Sequence, residues 1–314
     1  NVLEVARGLG KSVKASHESG TRVFLVGNGN VTIERSTIGE NVAGSSGGGV
    51  YNEDSVIITN STVSTNEAAV GGGVTSFGSV RFDAVTVAAN VAVEAAGVAV
   101  DGGLAYVKNT LIAANVAGVA DNDMRGLFVS EGNNFIGDVS VVTGFVDGLD
   151  GDIVGTSLLP LDPLIDRVLS DNGGPTRTHR LLSSSPAIDA ADNSDSGHTV
   201  DQRGSSRPLS DEADIGSFEV ANLTVEARDY QLIEGSSGQT EVLVPVILSG
   251  LSIEPVSVNY TTVDGTAFAG SDYGAVTGTI TLQPGEITGS IVVAVYGDML
   301  VEPTETLFVE LSSP

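Results

Sequence analysis

The sequence contains no cysteine and no tryptophan, and aromatic residues make up only 5% of its 314 residues. Without cysteine the chain can form neither a disulfide nor a thiolate zinc site. The 40 glycines, set against so few aromatic residues, are typical of thin β-architecture with many turns rather than of packed helices. We therefore expect an all-β protein.

Basic residues are scarce as well. Fourteen Lys and Arg stand against 40 Asp and Glu, a net charge of −26, and the only lysines are Lys11, Lys14 and Lys108. A surface of this sign repels the phosphates of nucleic acid and of anionic membranes, whereas divalent cations suit it. No run of 18 or more apolar residues is present, so we expect no transmembrane segment. The chain begins with Asn1 rather than methionine, and we expect it to be part of a longer protein.

A short sequence word recurs in the first part of the chain. It reads TIGENVAG, TVSTNEAAV, TVAANVAV and LIAANVAG, and its asparagines, Asn41, Asn66, Asn90 and Asn115, are 25, 24 and 25 residues apart. A period of this length is typical of a solenoid, and apolar–polar alternation between the words indicates strands. About 24 residues supply three short strands and three turns, so residues 1–132 are predicted to form the coils of a parallel β-helix, stacked about 4.8 Å apart.

Stacking of coils would place equivalent residues in columns. We expect three interior columns: Val31, Val56, Val80 and Leu104; Ile33, Ile58, Phe82 and Tyr106; and Ile38, Val63, Val87 and Ile112. The four asparagines would stack at a turn as a ladder of amide hydrogen bonds. Three glycines, Gly71–Gly73, directly follow the second word, and Gly47–Gly49 are their counterparts one coil earlier. These glycines would provide the positive φ and close backbone approach of a tight corner.

From about residue 131 the period breaks. Other words appear, namely Asn172-Gly-Gly-Pro-Thr176, Ser185-Pro-Ala-Ile-Asp189 and Asp201-Gln-Arg-Gly204. Through them and the repeat before them, residues 31–220 resemble the choice-of-anchor Q domain family of bacterial surface proteins. That resemblance implies a right-handed parallel β-helix in an anchored surface protein.

Residues 133–220 would form the last coils and an irregular cap, because an open β-helix end exposes unpaired strand edges. Arg203 and Arg207 lie among acidic residues and would tie the loops of this cap by ion pairs. A catalytic interpretation uses some of the same residues, since some β-helix proteins cleave polysaccharides. Its polar candidates are His179, Asp189, Asp201 and Arg203.

Residues 221–314 change in character. Apolar and polar residues alternate there with turn signals every 8–12 residues, a pattern that favours an antiparallel β-sandwich. Twelve acidic residues and one base, Arg228, give this segment a net charge of −11.

Through VDGTAFAGSDY, GTITLQPGE and GDMLVEPTE this segment resembles a Calx-beta domain, which implies an immunoglobulin-like sandwich and, for several members, Ca²⁺ bound at loops on one end. Hard oxygen ligands from separate loops are what Ca²⁺ requires. The residues that match the ligand motifs are Glu234, Asp264, Asp298, Glu302 and Glu305.

Two departures from the family pattern bear on that site. Gly297 stands where members often have a second aspartate, and the chain stops after LSSP, before the final strand and an acidic loop. One bound ion is therefore expected rather than a multi-ion cluster, the alternative being solvated turn acids that bind nothing tightly. Asp272 is interpreted as a turn residue. The missing strand would leave an edge open to strand addition.

Together these features predict an extracellular, non-enzymatic structural or adhesive surface protein, without catalytic residues or an organic cofactor, and with a Ca²⁺-stabilised sandwich. Self-association end to end or by strand addition would make it a filament subunit, and cell-surface glycans or proteins are further candidate partners. The alternatives are a polysaccharide lyase or glycosidase on the β-helix and ice or mineral binding by a threonine column, Thr37, Thr62 and Thr86.

Overall fold

The computed structural model describes residues 2–5, 22–25, 30–120, 122–139, 142–192, 197–209, 212–221, 223–250, 252 and 255–312. These residues form strands, turns and irregular segments but no helix, which confirms the all-β fold class. The chain divides into two compact units, Asn1–Val220 and Ala221–Pro314.

The first unit is built from short strands that pair in parallel. Their bounds are β1 Val2–Val5, β2 Arg22–Leu25, β3 Asn30–Glu34, β4 Thr37–Gly39, β5 Val50–Asn52, β6 Ser55–Thr59, β7 Thr62–Ser64, β8 Glu67–Val70, β9 Val74–Ser76, β10 Ser79–Asp83, β11 Thr86–Ala88, β12 Val91–Glu94, β13 Val98–Val100, β14 Ala105–Lys108, β15 Leu111–Ala113, β16 Val116–Ala120, β17 Met124–Arg125, β18 Phe128–Ser130, β19 Phe135–Ile136 and β20 Ile153–Val154.

Non-consecutive strands pair, as a solenoid requires. The sheets have the orders β1-β2-β5-β9-β13-β17, β18-β14-β10-β6-β3, β20-β19-β15-β11-β7-β4 and β16-β12-β8. Each chain turn therefore visits the sheets in sequence and adds one strand to each. The predicted parallel β-helix is confirmed, and stacking continues beyond residue 132, because β19 pairs with β20.

Interior columns form largely as the period predicts. Ile38, Val63, Val87 and Ile112 are in register and buried. A further buried column consists of Val50, Val74, Val98 and Met124. Branched apolar side chains thus stack on like side chains through the centre of the first unit, and removing them from water stabilises it.

In the fourth coil the prediction is wrong by one residue. Val80 pairs with Ala105 rather than with Leu104, and Phe82 pairs with Val107 rather than with Tyr106. The turn that contains Gly102 holds one residue more than its counterpart in the coil before, so the spacing from Val80 to its partner is 25 rather than 24 residues. A shift of one residue turns every side chain of a strand to the other face. Leu104 and Tyr106 are accordingly only half-buried.

The predicted asparagine ladder is confirmed. The Nδ2 of Asn41 donates to the Oδ1 of Asn66 (2.8 Å), that of Asn66 to Asn90 (3.0 Å), and that of Asn90 to Asn115 (2.9 Å). Each Oδ1 also accepts the backbone N–H of the asparagine one coil earlier. All four side chains are buried, and the ladder satisfies the amide oxygens of Asn66, Asn90 and Asn115, which would otherwise be costly to bury.

A buried carboxylate ends the ladder. The Nδ2 and the backbone N–H of Asn115 both donate to the Oδ1 of Asp123, at 2.8 and 3.1 Å. Burial raises the pKa of Asp123 to about 7, and the nearby carboxylate of Asp138 adds to this, although the hydrogen bonds from Asn115 oppose it. A second column ends similarly, since the Nδ2 and backbone N–H of Asn134 donate to the Oδ1 of Asp152.

Glycine fills all three positions of the corner in two successive coils and only the last position in the coil that follows. Positive φ occurs at the first, at Gly47 (64°) and Gly71 (61°), and Ala95 adopts it in the next coil (52°). In that coil a Cβ added at the last position, Gly97, would clash with the backbone oxygen of Asp123. Because no side chain fits so close an approach, glycine recurs at the last position even where alanine replaces the first two.

The irregular segment after residue 155 packs along the side of the coils. Thr62 donates to the Oε1 of Gln202 (2.6 Å), the Nε2 of Gln202 donates to the Oγ1 of Thr37 (2.9 Å), and the backbone N–H of Ser217 donates to Thr86 (3.0 Å). Gln202 and Ser217 thus lie beside the coils, where they satisfy the hydroxyl groups of the buried threonines. The threonine column is covered, so the interpretation as an ice- or mineral-binding face is wrong.

The second unit contains two antiparallel sheets of three strands. The strands are β21 Val225–Ala227, β22 Gly238–Leu248, β23 Val256–Asp264, β24 Thr277–Leu282, β25 Thr288–Gly297 and β26 Leu307–Ser312. Their orders are β21-β22-β25 and β24-β23-β26. Val246, Ile291 and Val293 of one sheet pack with Tyr273 and with the inner side chains of the other. This is the predicted β-sandwich.

Asn90→Ala is expected to destabilise the solenoid. The change removes an acceptor from Asn66 and a donor from Asn115, both buried, and should lower the free energy of unfolding by about 3 kcal/mol or more. Urea denaturation followed by far-ultraviolet circular dichroism measures the loss. The same substitution at Asn30, which is exposed, serves as the control and should change little. Equal effects at both positions would contradict a stabilising ladder.

Asp123→Asn should change how stability depends on pH. Because the folded state binds this proton more tightly than the unfolded chain, the contribution of Asp123 to the free energy of unfolding falls as pH rises from about 4 to about 7. The variant keeps the acceptor oxygen but carries no charge. Its stability relative to the wild type should therefore rise by on the order of 2–4 kcal/mol between about pH 4 and pH 8. A difference that is the same at both pH values would show that Asp123 does not titrate there.

Candidate metal centre

Antiparallel pairing brings several acidic loops to one end of the sandwich. Gly238 at the start of β22 lies opposite Gly297 at the end of β25. Asp264 at the end of β23 lies opposite Leu307 at the start of β26. The loop from β25 to β26 joins these two places, so the segments before β22, after β23 and after β25 meet.

Carboxylates from these segments form two overlapping triads. Oxygens of Glu234, Asp298 and Glu302 lie within 4.8 Å of one another, and so do oxygens of Asp272, Glu302 and Glu305. Glu302 belongs to both triads. Three separate loops therefore contribute five carboxylates in all, with four of them placed around Glu302.

Four of the five sequence-predicted ligands lie in these triads, and Asp264 does not. The Oδ1 of Asp264 instead accepts hydrogen bonds from the hydroxyl of Tyr273 (2.6 Å) and from the backbone N–H of Ala269 (2.9 Å). Tyr273 is buried in the core of the sandwich. Asp264 thus fixes the loop that carries Asp272, and its role as a ligand remains a prediction.

Asp272 is the residue that sequence reasoning left out. It lies in a turn, as interpreted, and its Oδ2 accepts the backbone N–H of Phe268 (2.7 Å). Its carboxylate nevertheless belongs to the second triad. The motif gave no signal for this, because the contact of Asp272 with Glu302 and Glu305 depends on how two distant loops pack.

Backbone hydrogen bonds hold the acidic loops together. The N–H groups of Thr266 and Ala267 donate to the carbonyl oxygen of Thr306, at 2.9 and 3.0 Å. The backbone N–H of Tyr296 donates to the carbonyl oxygen of Asp272 (2.8 Å). These bonds attach the loop after β23 both to the segment that carries Glu305 and to the end of β25.

Crowding of like charges shifts the titration of the site. Desolvation and then the carboxylates of Glu305 and Asp298 raise the pKa of Glu302. Desolvation and then Asp272 raise the pKa of Glu305. The pKa of Asp272 is lowered, mainly by its backbone hydrogen bond with Phe268. A cation that binds here would relieve the repulsion, and protons would compete with it.

The chemistry of the donor set fits Ca²⁺. Every group in the triads is a carboxylate, and neither triad contains a histidine or a sulfur ligand. Hard oxygen donors of this kind are typical of Ca²⁺ sites, which take 6–8 oxygens. Glu234, Asp298 and Glu302 would hold one ion, and Asp272 and Glu305 would complete its surroundings through their shared neighbour Glu302.

The structure explains why position 297 is a glycine in this chain. A Cβ added there would lie 2.7 Å from the carbonyl oxygen of Glu234 and 2.9 Å from that of Gly235. A side chain at this position, such as the aspartate that the family pattern often has, would push the backbone of Glu234 away from Asp298.

The polar residues of the middle segment serve the fold of the first unit. His179 is buried, with its Nε2 2.6 Å from Ser64 Oγ and its Nδ1 2.7 Å from the carbonyl oxygen of Asp166. Burial lowers the pKa of His179. Asp201 accepts three backbone N–H groups on its Oδ1, including that of Arg203, whose guanidinium also pairs with its Oδ2 at 2.7 Å. This ion pair was predicted, and it is confirmed.

Comparison with known families decides the nature of the second unit. The family model of the Calx-beta domain matches residues 218–314. This segment is a Calx-beta domain. Its predicted resemblance is thereby confirmed, and the carboxylate triads lie within the matched residues.

The curated relatives match the same region. Sodium/calcium exchanger 3 of Rattus norvegicus is 38% identical over 85 residues, which are 27% of this chain and 9% of the exchanger. Sodium/calcium exchanger 1 of Canis lupus familiaris is 35% identical over 94 residues, 30% of this chain and 10% of that protein. The chain thus spans about a tenth of the length of the curated relatives it matches.

Solved structures of Calx domains also align. The crystal structure of the apo-form Calx CBD1 domain is 33% identical, covers 24% of this chain and 66% of that chain, and gives a TM-score of 0.22. The calcium binding domain CBD12 of CALX1.1 is 32% identical, covers 24% and 31%, and gives 0.23. Among the described residues, no helix is long and apolar enough to cross a membrane.

Gly297→Ala should disturb the metal centre. The added methyl group displaces the backbone of Glu234 and Gly235, which should cost about 1–3 kcal/mol of stability. Thermal denaturation with and without Ca²⁺ tests this, and the variant should also gain less stability from the ion than the wild type does. Gly44→Ala is the control, because nothing lies within 4 Å of a Cβ added there. An unchanged response to Ca²⁺ would contradict the role given to the Glu234 backbone.

Proposed function

We propose that this chain belongs to an extracellular, non-enzymatic surface protein in which the solenoid is a stiff spacer and the Calx-beta domain is a Ca²⁺-stabilised adhesive module. The observation that carries the proposal is the pair of carboxylate triads that share Glu302. In the free protein these groups repel one another, so folding of the loops and binding of a divalent cation are coupled.

Calcium is favoured over other ions by the ligand atoms and by the relatives. Carboxylates from three separate loops suit the long and variable bonds of Ca²⁺, whereas Mg²⁺ demands a tighter octahedral geometry. The curated relatives of the matched segment are named sodium/calcium exchangers. From this similarity we carry over one property only, and propose that the matched segment of this chain binds Ca²⁺.

A structural role for the first unit follows from how its polar residues are used. The asparagine ladder, the threonine column and the Arg203–Asp201 pair all bind other parts of the fold. His179 and Ser64 are fully enclosed and out of reach of a polysaccharide. The resemblance to the choice-of-anchor Q domain family supports placing such a solenoid on a bacterial surface, where the acidic, thiol-free composition is suitable.

Self-association by strand addition is part of the proposal. Among the described strands, β26 pairs only with β23 and forms an edge of its sheet. Its inward side chains, Leu307, Val309 and Leu311, pack on the core but are only half-buried. A strand added at this edge would cover them and extend the sheet. Repeated addition would make a filament, and end-to-end contacts or binding to cell-surface glycans or proteins would serve adhesion.

Glu302→Gln should weaken Ca²⁺ binding. The change removes one negative charge from both triads and should lower the affinity by about tenfold or more, because charge count sets the affinity of such sites. Isothermal titration calorimetry of the whole chain measures it. The wild type should also bind less tightly at lower pH, since the pKa values of Glu302 and Glu305 are raised and protons compete from a higher pH than usual.

Glu286→Gln is the matched control. Glu286 lies in the turn between β24 and β25, at the opposite end of β25 from Asp298, and its Oε2 accepts the backbone N–H of Gln283, a bond that glutamine can also make. Its affinity should stay within about twofold of the wild type. No measurable heat of Ca²⁺ binding by the wild type, or equal losses in the two variants, would refute the proposed metal centre.

A further inference from the structure

A group of apolar side chains projects from the loops that carry the metal-site carboxylates. Together these side chains, here named the apolar tip, are Ile233, Phe268, Met299, Leu300 and Val301. Aliphatic side chains on a soluble domain normally turn toward its core, because water disfavours contact with them. Their concentration at a single end of the Calx-beta domain needs a cause outside the domain.

All five side chains of the tip are exposed, and three of them almost completely. Relative to an extended chain, Ile233 is 93% exposed, Met299 87% and Val301 101%. Met299, Leu300 and Val301 are consecutive, so three exposed apolar side chains project from one short segment. Single exposed apolar residues are ordinary on protein surfaces, whereas a group of them on neighbouring loops indicates a surface that meets a partner.

The apolar tip and the carboxylates lie at the same end of the domain. Met299, Leu300 and Val301 fill the loop between two members of one triad, Asp298 and Glu302. Ile233 directly precedes Glu234, the third member of that triad. Phe268 donates its backbone N–H to the carboxylate of Asp272, in the second triad. An ion held by the triads would therefore lie at the base of the apolar tip.

We infer that the apolar tip is a Ca²⁺-dependent docking surface for a phospholipid bilayer. The inference rests on the proposed Ca²⁺ binding and names the partner of that same site. In this arrangement the aliphatic side chains enter the acyl boundary of the bilayer, while Ca²⁺ bridges the carboxylates of the loops and the phosphate groups of the lipid surface.

Charge explains why docking requires the ion. Residues 221–314 carry twelve acidic groups and a single base, Arg228, and five of the acids form the triads at the tip. Anionic headgroups repel such a surface at short range. The net charge of the domain alone predicts repulsion from lipid phosphates. Bound Ca²⁺ supplies positive charge at the point of contact and makes the approach to the phosphates favourable there.

Coordination chemistry points to the same partner. Glu234, Asp298 and Glu302 are the carboxylates of the first triad, and Ca²⁺ takes 6–8 oxygen ligands. Asp298 and Glu302 are exposed, so the outer side of an ion between them faces away from the domain. Phosphate oxygens of a lipid surface are suitable hard ligands for that side.

The kind of side chain favours a bilayer over a protein partner. The hot spots of protein interfaces are enriched in tryptophan, tyrosine and arginine, and the apolar tip contains none of these. It consists of projecting aliphatic side chains and one phenylalanine. A fluid acyl boundary accommodates projecting side chains without a complementary pocket, as it does those of interfacial protein segments.

Sedimentation with sucrose-loaded vesicles tests the inference on the whole chain. The probes are vesicles of phosphatidylcholine alone and of phosphatidylcholine with phosphatidylserine, each with Ca²⁺ or with a chelator. We expect the chain to sediment with the mixed vesicles only when Ca²⁺ is present. Soluble glycerophosphoserine should not displace it, because a free headgroup offers no acyl boundary.

A triple variant, Met299→Ser with Leu300→Ser and Val301→Ser, should reduce partitioning into the mixed vesicles about tenfold or more, since each lost aliphatic group removes insertion energy. Its Ca²⁺ affinity by calorimetry should stay within about twofold of the wild type, because the triad carboxylates remain. Leu243→Ser is the matched control, as Leu243 is an exposed apolar residue within β22, away from the acidic loops. It should leave partitioning unchanged.

The outcomes separate this inference from the proposed function. If the wild type binds no Ca²⁺, the metal centre itself fails. If the wild type binds Ca²⁺ but never sediments with vesicles, the bilayer inference alone is overturned. The same holds if the triple variant sediments with the vesicles as well as the wild type does. Ca²⁺-dependent self-association without vesicles, seen by analytical ultracentrifugation and lost in the triple variant, would overturn it in favour of a second copy of the chain.

Discussion

Registered stacking of one coil on the next is the constraint on which the first unit depends. A side chain inside a solenoid contacts mainly its equivalents one coil earlier and one coil later, so each position must suit its own repetition. The asparagine ladder is the strictest case, because the amide nitrogen of each buried asparagine donates a hydrogen bond to the amide oxygen of the next one. The aspartate at the end, Asp123, accepts the last two hydrogen bonds without having to donate any, which is what a terminal position requires.

The same constraint explains where the first unit departs from strict repetition. The added residue near Gly102 lies in a turn, where length can vary without altering the strands on either side. The corner after the asparagines tolerates alanine at its first two positions but keeps glycine at the third, where the next coil's backbone leaves no room for a Cβ. Outside the coils, the threonine column is satisfied by Gln202 and Ser217 from the irregular segment.

The Calx-beta domain works by the opposite principle. Its sheets are held by long antiparallel pairs, and its acidic end gathers charges that repel one another. Glu302 and Glu305 have raised pKa values because local desolvation and then the neighbouring carboxylates disfavour their charged forms. A bound cation would stabilise such an end, and the apolar side chains beside it add a surface that water does not favour. Both features are consistent with a site whose stable form includes a cation and a contact partner.

Much of the fold follows from the sequence because repetition is visible in it. The asparagine spacing gave the parallel coils, the ladder and most interior columns, and the alternation after residue 220 gave the sandwich. Motifs also named Glu234, Asp298, Glu302 and Glu305, which the structure brings together. Only the tertiary structure placed Asp272 among them, turned Asp264 toward Tyr273, shifted the fourth coil by one residue and covered the threonines. Those features depend on contacts between segments far apart in the chain, and a local pattern carries no information about which distant backbone will lie beside it.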